Sequence, residues 1–172
     1  MSLQSKLALL GGAATKAWSQ SASGGIAEEQ GVGQLEVNVI FTDPTATAAA
    51  LQYAASLVQD LAGCIRLRAP IVVPLRLPLD ESPVSVRFME QRLSDLVRRL
   101  DRDAIEATVH LYLCRDRLET LLQVLSPDSL VVIGGRKRWW ATAESRMAKI
   151  LRSKGHRVVF VSVGKGINAI SN

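Results

Sequence analysis

From Leu35 onward, short apolar runs alternate with stretches in which apolar residues recur every three or four positions, the mark of strands alternating with helices. Residues 35–43, LEVNVIFTD, alternate and then become continuously apolar, which predicts a first strand. Thr47 to Ala62 places Ala48, Leu51, Ala55, Val58 and Ala62 on one helical face, with Asp43 and Thr45 as cap candidates before it and Gly63 after it. Cys64 to Leu75 turns from alternation to a β-branched run and predicts a second strand, although Pro70 argues against a long regular central strand. Val84 to Leu100 gathers Met89, Leu93, Leu96, Val97 and Leu100 on one face and sets Arg92, Asp95, Arg98 and Arg99 opposite.

The same alternation continues to residue 163. Thr108 to Cys114 predicts a third strand. Leu118, Leu121, Leu122 and Leu125 form the core stripe of a short helix that Ser126-Pro127-Asp128 stops. Leu130 to Ile133 predicts a fourth strand and Ala143, Met147, Ile150 and Leu151 a fourth helix. Gly155 supplies a stop signal, and Arg157 to Val163 predicts a fifth strand. Strands and helices in strict alternation imply an α/β fold, a three-layer α/β/α sandwich on a five-stranded parallel, Rossmann-like sheet with right-handed crossovers. Residues 1–34, rich in Gly, Ser, Ala and Gln, read as a flexible arm with room for a short helix around Leu7, Leu9, Leu10 and Trp18. The domain spans 35–163 and a polar tail 164–172.

At 172 residues, with 48% apolar residues, the chain can bury one sizeable core. No apolar run has the length of a membrane span, and the first residues lack the basic cluster and unbroken apolar patch of an export signal. Cys64 and Cys114 have no paired spacing and read as buried free thiols, in keeping with a reducing cytoplasm. The net charge of +5 is uneven, because nine of the 21 Lys and Arg fall between Gly134 and Asn172 against a single acid, Glu144. An exposed cationic helix face accounts for this as well as a phosphate, nucleic-acid or membrane partner does.

Ligands of open parallel sheets collect beyond the carboxyl ends of the strands, where strand order reverses. Four loops qualify, and LVVIGGRKR (130–138) stands out among them. Gly134 and Gly135 would let amides approach an anion, and Arg136, Lys137 and Arg138 would add charge, while Asp43 could accept from a ribose or an adenine amine. The alternatives are a helix cap for Asp43 and a tight strand-to-helix turn for the glycine pair. Neither GxxxxGK[ST] nor GxGxxG occurs, no GxSxG elbow seats a serine, and His110 and His156 lack metal-ligand spacing. No residue set supports a catalytic cycle, so the expectation is a protein that is not an enzyme. Trp139 and Trp140 beside the cations could stack bases, but a single such cluster makes nucleic acid a minority reading. A cover for the sheet end or a surface for a protein partner is the alternative.

Three stretches together resemble the universal stress protein (UspA-like) family. They are VIFTDPTATAAAL (39–51), SLVVIGGR (129–136) and ESRMAKILRSKGHRVVFV (144–161), and the likeness covers Leu35 to Val163. The resemblance implies the adenine nucleotide alpha hydrolase-like form of the fold and a homodimer joined through the last strand, Arg157 to Val163. It also implies a site for ATP or another adenine nucleotide built from Asp43, Thr45, Val73, Gly134, Gly135, Arg136, Lys137 and Ser145. The family's Gly-x2-Gly-x9-Gly-[Ser/Thr] loop is degenerate here. Lys137 stands at the second glycine, Glu144 at the third, and six residues separate them where the motif has nine. The expected function is therefore a non-catalytic regulatory or binding module acting through dimerisation and a protein partner. An adenine-nucleotide-binding stress regulator and a cytosolic regulatory domain linked to a transporter are the alternatives.

Overall fold

The computed structural model describes residues 35–59, 61, 63–79, 85–100, 105–136 and 142–163 with side chains, and the strand residues 5–6, 9–10, 13–14 and 16–21 as backbone. The strands are Ser5–Lys6 (β1), Leu9–Leu10 (β2), Ala13–Ala14 (β3), Lys16–Ser21 (β4), Glu36–Ile40 (β5), Cys64–Val72 (β6), Glu106–Cys114 (β7), Leu130–Arg136 (β8) and Arg157–Val163 (β9). Helices Pro44–Val58 (α1), Val86–Arg98 (α2), Arg117–Val124 (α3) and Ala143–Ser153 (α4) connect the last five strands. Those five are parallel, in the order β7-β6-β5-β8-β9, so the chain's direction of travel reverses at β5. This is the parallel α/β sheet that the alternation predicts.

Side-chain alternation sends each strand's residues to two helix layers. Val37, Val39, Leu67, Leu111 and Val132 pack with Ala50, Leu51, Ala54 and Leu93 beneath α1 and α2. Ile40, Val131 and Ile133 pack with Leu121, Met147 and Leu151 beneath α3 and α4. Each fully buried Leu or Ile stabilises the fold by about 1.5–3 kcal/mol. Ala46, Ala50 and Ala54 of α1 have no exposed surface at all, and this small-residue stripe brings the helix backbone close to the sheet.

Several boundaries differ from those the pattern predicts, each for a local reason. α1 starts at Pro44, three residues before Thr47, because Asp43 caps it and proline suits the first helical position. β8 continues through Gly134, Gly135 and Arg136, which pair with Val161, Ser162 and Val163. The glycine pair therefore lies inside a strand, where the sequence suggested a turn. β6 runs straight through Pro70. The Arg68 carbonyl accepts from Phe41 N–H, and β5 pairs with β6 no further than Ile40 opposite Arg68. Two residues on, the N–H that proline lacks would point past the end of β5, where it has no strand to meet.

Within residues 1–34, where the pattern left room for a short helix, the described backbone is strand. β4 runs antiparallel to β7, with Lys16 opposite Leu113 and Ser21 opposite Thr108. β1 pairs with β4, and β2 with β3. Main-chain pairing along a sheet edge requires no apolar periodicity, which is why the sequence pattern does not reveal it.

Candidate functional site

The carboxyl ends of β5 and β8 meet where strand order reverses. Thr42 ties them together, its hydroxyl donating to the Gly134 carbonyl at 2.9 Å while its N–H donates to Thr47 Oγ1 at 3.1 Å. Asp43 follows in extended conformation, and its Oδ1 accepts from the N–H groups of Thr45 and Ala46, both at 3.0 Å. Thr47 N–H donates to the Asp43 carbonyl. The amides that α1 would offer to an anion are thus taken up by its own cap.

Packing accounts for both glycines. A Cβ on Gly134 would lie 1.9 Å from the carbonyl oxygen of Ala46 in the first turn of α1, and one on Gly135 would lie 2.4 Å from Phe160 Cζ. The first glycine lets α1 rest on β8, and the second makes room for the Phe160 ring on the neighbouring strand. Arg136 is exposed at the end of β8. Lys137, Trp139 and Trp140 lie outside the described residues.

The remaining candidates are similarly engaged. Thr142 caps α4 by accepting from Ser145 N–H at 3.2 Å, and the Ser145 hydroxyl donates back to the Thr142 carbonyl at 2.9 Å. Glu144 sits in that first turn, where its carboxylate favours the helix dipole but opposes a phosphate. Val73 is buried, and its N–H donates to the Cys114 carbonyl. The loop after it is fixed by Arg115, whose guanidinium donates to the carbonyls of Val73, Pro74 and Leu77. Asp43, Thr45 and Gly134 therefore share the switch point, whereas Val73 belongs to the next loop and Ser145 turns back on its own cap.

A polar cluster that sequence reasoning missed lies on the α3/α4 face of β5, β6 and β7. Arg68 is only 6% exposed, and it donates to Asn38 Oδ1 and to Tyr112 Oη at 2.7 Å. Glu36 receives Arg66 Nε at 2.8 Å, Asn38 Nδ2 at 3.1 Å and Arg68 Nη2 at 3.5 Å. His110 stacks on Tyr112 and shares a hydrogen bond with Thr108 Oγ1. Burial, reinforced by the charges of Arg68 and Arg66, lowers its pKa from 6.5 to about 4. Burial also raises the Tyr112 hydroxyl and both cysteine thiols above their ordinary values. The available signal was polar residues at every second position, 36/38, 66/68 and 108/110/112, in strands expected to be covered on both faces.

Among the described residues no group of His, Cys, Asp and Glu could hold a metal ion, and no helix is long and apolar enough to cross a membrane. No protein-family model and no curated protein matches the sequence. Among solved structures, a universal stress protein from Archaeoglobus fulgidus is similar over 77% of this chain and 96% of its own, with a TM-score of 0.55 and 16% sequence identity. The chain has the fold of that protein.

Proposed function

We propose that this chain is a universal-stress-protein-like regulatory module that is neither a catalyst nor dependent on nucleotide, acting in the cytoplasm as a homodimer with a protein partner. The observation that carries the reading is that four of the described candidates already have structural partners. Asp43 and Ser145 serve helix caps, Gly134 and Gly135 serve strand and helix packing, and Glu144 stands where the resemblance implies a glycine. An adenine-nucleotide regulator would need a site built from Thr45, Arg136 and whatever residues 137–141 add. Titration calorimetry with ATP, ADP, AMP and cyclic AMP separates the two readings.

The dimer reading rests on β9, an edge of the sheet. Arg157 N–H donates to the Ser129 carbonyl toward β8, so the main-chain groups of Val158, Phe160 and Ser162 point outward. Arg152 covers the Val158 carbonyl with Nε and Nη2 at 3.1 and 2.8 Å, leaving Phe160 and Ser162 for a second copy. Sedimentation velocity over a concentration series should show a dimer. Ser162→Pro, which removes an outward N–H and none of the β8 bonds, should shift it to monomer. A dimer unchanged by Ser162→Pro would place the interface elsewhere.

A further inference from the structure

The five parallel strands have two outer members, β7 and β9, and the two are built differently. β9 has no buried residue along its length, whereas six of the nine residues of β7 are buried. Val109, Leu111 and Leu113 are at most 4% exposed. A strand this long and apolar becomes a template for another chain when its main-chain groups are open.

The direction of the β7 main chain shows what closes it. The Cys114 carbonyl accepts from Val73 N–H, so the main-chain groups of Cys114, Tyr112 and His110 face β6, and those of Val109, Leu111 and Leu113 face the other way. Each of these three stands opposite a residue of β4, namely Gln20, Trp18 and Lys16. β4 thus meets the outward main chain of β7 from Thr108 to Leu113, as an antiparallel edge strand on a parallel sheet. β4 is itself a poorer template. It has six residues and begins at Lys16, and β1, which pairs with it over two residues, adds Lys6. Short edge strands and lysines discourage pairing with a further chain.

We propose that Lys16–Ser21 is an edge cover that limits self-assembly, closing β7 against a second copy of this chain so that copies joined through β9 stop at a pair. Uncovered, β7 would meet β7 of another copy antiparallel about a two-fold axis, which offers it the same row of N–H and C=O groups that β4 does. With both edges open, one copy would pair through β9 with a second and through β7 with a third, and the assembly would have no end. The cover stands on the pairing of β4 with β7, while the number of copies expected rests on the β9 dimer proposed above.

The test uses the full chain. Trp18→Pro combined with Gln20→Pro removes two N–H groups that face β7, and Ser19→Pro removes one that faces away from it, a residue past the β1 pairs. Sedimentation velocity over a concentration series reads size, amide hydrogen exchange at the lowest concentration reads the edge, and thermal melting reads folding. In the double variant Val109, Leu111 and Leu113 should lose protection while His110 and Tyr112 keep it, and raising the concentration should produce species larger than the parent's dimer. Ser19→Pro should match the parent. Adding Ser162→Pro to the double variant should return a dimer, now joined through β7. A monomeric parent would contradict the β9 dimer alone, and the cover then requires the double variant to dimerise. The proposal is overturned if the three amides stay protected, if the double variant keeps the parent's size at every concentration, or if Ser19→Pro acts as the double variant does. Loss of the cooperative melting transition in the double variant overturns it too, because β4 would then be part of the core.

Discussion

Gly134 and the Ala46 carbonyl oxygen stand so close that a Cβ on the glycine would lie 1.9 Å from that oxygen. The obstacle is helix backbone, so relief requires α1 to lift from β8 and to give up part of the alanine-stripe contact. Gly134→Ala should therefore destabilise the fold by about 3 kcal/mol or more, at or beyond the upper end of ordinary overpacking. Chemical denaturation measures it. A loss below about 1 kcal/mol would show that the strand end is free to move.

Gly135 has a softer neighbour. Its Cβ would meet the far end of the Phe160 ring, on a strand at the sheet edge. Gly135→Ala should cost about 1–3 kcal/mol, and Phe160→Leu in the same chain should recover about 1 kcal/mol of that loss. A double-mutant cycle provides the check, with purely additive effects as the contrary outcome.

Asp43 tests the cap reading directly. Asp43→Ala removes the acceptor of two helix N–H groups and should cost about 1 kcal/mol, whereas Asp43→Asn should cost only a few tenths, because asparagine caps as well. Equal losses for the two variants would assign the carboxylate charge a role beyond capping.

His110 sets a pH dependence. Its folded pKa lies near 4, below the unfolded value of 6.5, so between these limits the unfolded chain binds more protons. Stability due to this group is complete above about pH 6.5 and is lost as the pH falls toward 4, by up to about 3 kcal/mol. Among the described residues, the groups facing the ring are Arg66 and Arg68 from β6 and Thr108 and Tyr112 from its own strand, with Glu36 of β5 bound to both arginines. Denaturation at pH 7.5 and 4.5 should show the loss in the parent, and His110→Phe, which keeps the stack on Tyr112, should flatten it. An unchanged slope in that variant would assign the acid sensitivity to other groups.

The order of elements was legible because each helix carries its own apolar stripe and each strand its own run. Arg157 to Val163 needed no correction. Readings failed where the deciding partner is distant in sequence. Pro70 discourages a central strand until β5 is seen to end beside it, and the glycines at 134 and 135 read as a turn until they are seen to pair with Val161 and Ser162 beneath Ala46 and Phe160. Within the switch point, Asp43 was legible as either cap or ligand, and the hydrogen bonds to Thr45 and Ala46 show the cap. The Arg68 cluster left only the polar alternation at 36/38, 66/68 and 108/110/112 in the sequence, and its pairing is invisible there because its members come from three strands.

Titration calorimetry of the full chain with ATP tests the central proposal most directly. The expected result is no saturable heat at millimolar nucleotide, with Arg136→Ala indistinguishable from the parent. Saturable, stoichiometric ATP binding that Arg136→Ala weakens would contradict it and identify the carboxyl end of β8 as a working nucleotide site.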